Sequence, residues 1–582
     1  MKFKRSNSRT KNFGTRWMML LSVLLLMGCT HTKQPTASSP FEYREVYLPR
    51  LSSREYVPLK LNDIDNDWGI WGHNISVVLP ENPSSSVYAK SSHGVNRNQF
   101  CFTSDALFKY IKKYISRNYC NGKTMRFAIL PNDNNVVCQC KQCVECGNTK
   151  HDASGAVYYM LERLTKEFPN HIFFTSYYKT TSSLPAQPLP ENAGVLVSAI
   201  RFPLSTCHTP EEDEFISLLN QWSVYTKRIY VWDYINNFDD YFTPFPIFDI
   251  FQHRLRLYVQ AGVKGIFMNG SGIEYSTFYR LKIHILALML SNPSVEWRPL
   301  LRDFCHERYP VTGDVICDFI VKQENMVSKL KGSLSLYEGM PAALRTYLPA
   351  EDFAVFHDKL LSLLPETKGR EHKSIVKISR ALTFTRLELK RMAADTEGCE
   401  QMLTELRNLT DEGIISYSES GGTIDSYVDD YRYMLRRAAE TKGKNLLKGV
   451  RLEPLTELDE DYNDITILTD GLLGLPSCYH CGQMLSSATP ALRIAIPHVQ
   501  GMKSLRVNMT KNSIFHISLP LRVSLTAGGH EVGSVIPTPL SSNLQRAVAE
   551  FEIPSNYKGK LVLNIYRDQE DRTMALDEIE GF

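Results

Sequence analysis

The chain has 582 residues, of which 43% are apolar and 22% charged, the proportions of an ordinary globular protein and not of a disordered or fibrous one. Its formal net charge is +3 with both signs mixed along the sequence, so no basic stripe points to nucleic acid. The 29 tyrosines suit a core or a sugar-binding surface equally, and composition does not decide between them.

Residues 1–16 carry six cations (Lys2, Lys4, Arg5, Arg9, Lys11, Arg16) and no acidic group. The apolar run that follows, Trp17 to Met27, is 11 residues long. That is too short to span a bilayer, which takes about 20 apolar residues. A basic start, a short apolar core and small residues at its end make a secretory signal. The end reads Leu26-Met27-Gly28-Cys29 and resembles the lipobox of bacterial lipoproteins. The resemblance implies a signal peptide over residues 1–28, a lipid on Cys29 and a membrane as partner. An ordinary signal with a chance cysteine is the alternative. Thr30 is not the Asp that retains some lipoproteins in the inner membrane, so the outer membrane or cell surface is expected. Residues 29–40, rich in Ser, Thr and Pro, read as a flexible tether.

From Phe41 to Pro310 short apolar runs alternate with amphipathic stretches. Strands are expected at Tyr43–Tyr47, Gly69–Leu79, Met125–Leu130, Ile172–Tyr178, Val195–Phe202, Arg228–Tyr234 and Gly265–Asn269. Helices are expected between them, at Ser104–Arg117, Ala153–Phe168, Glu212–Thr226, Phe248–Ala261 and Phe278–Leu290. Repeated βα units imply a parallel sheet, and their number over residues 41–310 predicts an α/β fold with a (β/α)8 barrel of the TIM type. Residues 311–444 switch to helical periodicity, as in Glu351–Leu364, His372–Ala394 and Thr423–Thr441. Residues 445–582 switch again, to short alternating runs such as Leu492–Ile496, Ile514–Leu519, Arg522–Thr526 and Lys560–Tyr566. That pattern predicts a C-terminal antiparallel β-sandwich.

Several stretches in this order resemble the domain of unknown function 4838 family. They are Gly69-Ile-Trp-Gly-His73 through Pro80, Asn98-Gln-Phe-Cys-Phe-Thr-Ser-Asp105, Pro131-Asn-Asp133 running into the cysteines, Tyr230-Val-Trp-Asp-Tyr234, and Gly262 through Asn269. That family is similar to barrel glycoside hydrolases such as α-glucuronidases and β-N-acetylhexosaminidases. The resemblance implies a carbohydrate-active barrel with a polysaccharide or glycan as partner. The C-terminal region resembles galactose-binding-like sandwiches through Leu468-Thr-Asp470-Gly471 and Leu576-Asp577-Glu578-Ile579.

Barrel enzymes react at the C-terminal ends of their strands, and glycoside hydrolysis usually takes two carboxyl groups. Asp133, Asp233 and Glu274 fall at such ends, and Asp133 with Glu274 is the preferred catalytic pair. The alternatives are a turn role for Asp133 among Asn132, Asn134 and Asn135, a helix N-terminal charge for Glu274, and a buried ion pair for Asp233 with Arg201 or Arg228. Arg44 and Arg201 are candidates to grip a carboxylate or hydroxyls. His73, Tyr177, Trp232, Tyr234 and Asn269 are candidates to stack on or hydrogen-bond to a ring, and packing in the core is the alternative for each.

Cys138, Cys140, Cys143 and Cys146 lie within nine residues. Four thiolates so spaced suit a closed structural zinc site, with two disulfides as the rival in an exported protein. A catalytic cofactor is not expected. No phosphate-binding glycine loop, His-Glu-x-x-His or Gly-x-Ser-x-Gly occurs, which removes nucleotide, metalloprotease and esterase readings. The sequence therefore predicts a lipid-anchored glycoside hydrolase-like protein, with a non-catalytic glycan-binding lipoprotein on a degenerate barrel as the alternative.

Overall fold

The structure is a computed structural model, and it describes residues 39–582 except 93, 120, 542, 543, 556 and 568–572. The signal peptide, most of the tether and Cys29 therefore lie outside the described residues. Among those described, no helix is long and apolar enough to cross a membrane.

Among the described residues, nine strands lie in the first half of the chain: β1 (Tyr43–Tyr47), β2 (Trp68–Ile70), β3 (Tyr88–Ser91), β4 (Gly94–Phe100), β5 (Arg126–Ala128), β6 (Ile172–Tyr177), β7 (Ala193–Ser198), β8 (Ile229–Tyr234) and β9 (Gly265–Asn269). Seven of them form one parallel sheet in the order β1-β9-β8-β7-β6-β5-β2; six match expected strands, whereas the expected Gly69–Leu79 strand stops at Ile70 and its Ile75–Val78 part is a short 3-10 helix. β3 and β4 make a separate antiparallel hairpin that the patterning did not reveal.

The sheet curls but does not close, which corrects the expectation of a full (β/α)8 barrel. Among the described residues no ladder joins β1 to β2. The connection between them holds only short helical turns, Ser53–Tyr56, Val57–Leu59 and Ile64–Asp67, and β2 itself has three residues. Side chains span the seam instead. Glu45 accepts the Ile64 amide at 2.9 Å, and the edge of the Tyr43 ring meets Trp68 at 5.9 Å.

Side chains alternate across each strand, so every second residue faces the hollow of the curl. There Tyr43, Trp68, Phe174, Tyr230 and Phe267 pack with Leu130 and Leu196 into a largely aromatic core. The outer face is covered by helices that include Ser154–Glu167, Pro210–Trp222, Phe248–Gln260 and Tyr279–Ser291. The Pro210–Trp222 helix starts on a Thr209 side chain that caps the Glu212 amide, with three acidic residues in its first turn, a favourable N-terminus.

Residues 311–444 are helical, as their periodicity predicts, with Ala350–Leu363, Gly369–Met392 and Ile424–Thr441 the long elements. The described residues of the C-terminal region form two antiparallel five-stranded sheets. One runs in the order Glu453–Pro454, Ala491–Ile496, Leu561–Tyr566, Arg522–Ala527, His530–Val535. The other runs Met484–Ser486, Met574–Gly581, Ser504–Thr510, Leu544–Glu552, Pro539–Ser541. The expected strand at Ile514–Leu519 is absent; Asn512 and Ile517 close a turn there. The two stretches that resemble galactose-binding-like domains meet, with the Gly471 amide donating to the Glu578 carboxyl at 3.2 Å.

Candidate functional site

In a parallel sheet all strands end on one side, so the loops after them converge. Here they enclose a cavity of about 240 Å³. Period-two alternation selects the residues that face it: Ser176 and Tyr178 at the end of β6, Leu196 and Ser198 of β7, Trp232 and Tyr234 of β8, and Asn269 of β9. Gly72 and His73 after β2 and Asp133 after β5 complete this wall. Tyr337 and Glu419 of the helical region form the wall facing them.

The Asp133 loop is held by its neighbours. The Asn132 amide donates to the Gln99 side chain at 2.9 Å, and the side-chain amides of Asn132 and Asn134 both donate to the Asn98 carbonyl at 2.8 Å. Asn134 also accepts the Val136 amide. The flanking asparagines thus carry the turn and leave the Asp133 carboxylate to the cleft, where it pairs with Lys179 at 2.5 Å. Burial disfavours the Lys179 ammonium, but Asp133 outweighs it and lifts its pKa above the ordinary value. Lys179 has φ 45°, in the left-handed region, a conformation that costs a non-glycine residue about 1–2 kcal/mol. Beside it His73 Nδ1 lies 2.5 Å from the Pro131 carbonyl oxygen, and its ring is 6.2 Å from that of Tyr178.

Glu419 comes from a loop about 150 residues beyond the last strand of the sheet. Its amide donates to the Phe238 carbonyl at 2.9 Å, and the Tyr241 amide donates to the Tyr417 carbonyl at 2.8 Å, so residues 417–419 lie along the segment after β8. Glu419 is exposed to the open cleft; partial desolvation there, then the charges of Asp239 and Asp133, push its carboxyl above its ordinary range. Asp239 is itself fixed by Tyr479, by Tyr462 at 2.7 Å and by the Glu338 amide at 2.8 Å. The cleft therefore presents one ion-paired carboxylate, one carboxyl biased toward its protonated form, and aromatic surface from Trp232, Tyr178, Tyr234 and Tyr337.

Of the residues expected from sequence, Asp133, His73, Trp232, Tyr234 and Asn269 line this cleft. Glu274 and Asp233 do not. Glu274 sits in a turn in which Ser271 Oγ donates to its carbonyl. The glycine-rich loop before it folds onto the end of β1, with the Gly270 and Gly272 amides donating to the Tyr47 carbonyl. A Cβ on Gly270 would stand 2.7 Å from that oxygen, so the close approach is to β1 and not to a ligand. Asp233 lies between two cleft-facing residues and so points to the helical face, where it is fully buried against Arg254 and receives the Tyr258 hydroxyl at 2.6 Å. Its partner is Arg254, not Arg201 or Arg228. Tyr177 likewise turns outward, against Trp222. Arg44 binds Ser291 and the Lys60 carbonyl. Arg201 lines a groove next to the cleft that shares Tyr234 and Tyr337 with it.

The cysteines are also rearranged. Four that could hold a metal ion are Cys101, Cys138, Cys140 and Cys143, with their sulfurs all within 4.8 Å of one another. Cys146, at the C-terminal end of the short Lys141–Glu145 helix, is outside this group, and Cys101 from the end of β4 is in it. Cys478 and Cys481 form a disulfide.

Residues 79–320 match the family described as a domain of unknown function, DUF4838. The matched segment takes in Asp133, Lys179, Trp232, Tyr234, Asn269 and the four cysteines, and leaves out β1, β2, His73 and Glu419. No curated protein matches the sequence. Among solved structures, a GH115 4-O-methyl-α-glucuronidase with specificity for decorated arabinogalactans is 12% identical, with TM-score 0.34, over 82% of this chain and 67% of that one. A GH138 enzyme targeting pectin rhamnogalacturonan II is 8% identical, with TM-score 0.34, over 85% and 79%. A Streptococcus pneumoniae fucose-binding module is 17% identical, with TM-score 0.19, over 24% and 97%.

Proposed function

We propose that the chain hydrolyses a glycosidic bond of a polysaccharide or glycan held in this cleft, with Glu419 as proton donor and Asp133 as the second carboxylate. The observation that carries the reading is the placement of two carboxyl side chains with unlike surroundings in one aromatic-lined cleft at the strand ends. Glycoside hydrolysis divides its work in this way, between a carboxyl kept protonated and one kept ionised. Trp232 and the tyrosines supply flat apolar faces for a sugar ring. The test is sugar release by the full chain from aryl glycosides and from plant and host polysaccharides, beside Asp133→Asn and Glu419→Gln. Release by the wild type that persists in both folded variants would sink this assignment.

A second reading, capture of a glycan without cleavage, is favoured by one feature: Lys179 already neutralises Asp133. Retention on a glycan column, lost in Trp232→Ala and without any hydrolysis, is its signature. In either case we place the protein at the outer membrane or cell surface, tethered by a lipid on Cys29. Cys29→Ala is then expected to leave the membrane fraction and to take up no labelled fatty acid. Continued membrane residence of that variant would remove the anchor.

A further inference from the structure

We propose that Cys101, Cys138, Cys140 and Cys143 bind one Zn²⁺ in a closed four-thiolate site that fixes the wall of the cleft bearing Asp133. Cys101 Sγ lies 3.7 Å from Cys140 Sγ and 3.6 Å from Cys143 Sγ. Sulfurs at the corners of a tetrahedron around zinc, with Zn–S about 2.3 Å, are about 3.8 Å apart. The observed separations are therefore those of ligands sharing one ion. A disulfide brings sulfurs together two at a time, whereas Cys101 is equally close to two partners.

The surroundings suit bound thiolates. The Lys90 amide donates to Cys138 Sγ at 3.3 Å, and the Thr103 hydroxyl is 3.1 Å from Cys143 Sγ and 3.7 Å from Cys140 Sγ. Such donors offset the negative charge that four thiolates leave on a divalent ion and orient the ligands. Cys101, Cys138 and Cys143 are buried and Cys140 is half-buried, so no position stays open for substrate or water, and the role is structural.

The ligands come from two stretches: Cys101 directly after β4, and the other three after the Asp133 loop. Asn98 and Gln99, just before Cys101, already hold Asn132 and Asn134. A metal would close this connection from the other side and clamp residues 98–101 to residues 132–143. The site stands whether or not the cleft cleaves glycans.

The experiment is zinc analysis of the full chain, purified without added metal or reductant, by plasma mass spectrometry. One Zn²⁺ per chain is expected for the wild type and for Cys146→Ser, and background for Cys101→Ser. Because Cys101→Ser can fail to fold, the wild type is also alkylated before and after chelation. The four thiols are expected to react only once the ion is removed. A disulfide among the four in a non-reduced peptide map, stoichiometric iron in place of zinc, no uptake of added Zn²⁺, or loss of zinc in Cys146→Ser but not in Cys101→Ser would each overturn the proposal.

Discussion

Lys179 Nζ lies 2.5 Å from Asp133 Oδ1 and so ties the end of β6 to the loop after β5. Both side chains are substantially exposed, at 40% and 47%, and an exposed pair of this kind contributes about 0–1 kcal/mol to stability. Its importance lies in the cleft. Lys179→Asn removes the cation while allowing the left-handed backbone that Asn tolerates well. Thermal unfolding is expected to change by no more than about 1 kcal/mol. Glycan binding or turnover is expected to change several-fold, because Asp133 loses its counter-ion. Equal kinetics for the wild type and Lys179→Asn would show that the pair is only a surface contact.

Glu419 sets the second expectation. Partial desolvation in the cleft and the charges of Asp239 and Asp133 raise its pKa, so its acid form persists to higher pH than in an isolated glutamate. A proton donor of this kind gives activity that falls as pH rises through the raised value. Glu419→Gln is expected to lose that alkaline limb and to lower kcat on unactivated glycosides by roughly 10²–10⁴-fold. An aryl glycoside with an acidic phenol as leaving group needs little protonation and should be far less affected. A uniform loss on both substrates would count against Glu419 as the donor.

The pattern of apolar residues located six strands of the main sheet and only the edge of β2, because buried parallel strands read as short continuous apolar runs between helices, and the apolar run after Ile70 turns into a 3-10 helix instead. It could not show closure, which depends on whether β1 and β2 pair across the seam. The same alternation that made β8 legible also decides Asp233: Trp232 and Tyr234 share one face, so Asp233 must take the other. Glu419 was illegible because its loop lies far along the chain, and the hydrogen bond from its amide to Phe238 has no local signature. Cys101 stood inside a stretch noted for its family resemblance, but its distance in sequence from Cys138 concealed that their sulfurs meet.

Asp233 yields a prediction about stability. Its carboxylate and the Arg254 guanidinium are both essentially unexposed, and the Tyr258 hydroxyl completes the group. Removing one partner of a buried pair leaves the other charge uncompensated, at a cost of about 3–5 kcal/mol. Asp233→Asn is therefore expected to lower the urea midpoint strongly while leaving kcat per folded molecule nearly unchanged. A variant that melts like the wild type but is inactive would return Asp233 to the catalytic candidates.

The sandwich carries a buried acid whose titration sign can be tested. Glu578 is 1% exposed; burial and then the charge of Asp470 push its carboxyl up to about 11, against hydrogen bonding from the Gly471 amide. In the unfolded chain the group titrates near its ordinary value, about 4.3. Above that pH the folded protein holds a proton that the unfolded chain releases. The contribution of this group is thus fully present at acid pH and is lost progressively as pH rises toward 11. Glu578→Gln is neutral throughout, and its side-chain oxygen can still accept from Gly471 and from Asn445, which now donates at 3.0 Å. It is expected to match the wild type near pH 4 and to be the more stable protein at pH 7, by roughly 4 kcal/mol. Thermal melts of the two proteins across pH 4–9 measure the gap. A gap that widens with pH establishes a protonated Glu578, whereas a variant that is less stable at every pH would mean that Glu578 is ionised and anchors its neighbours as a carboxylate.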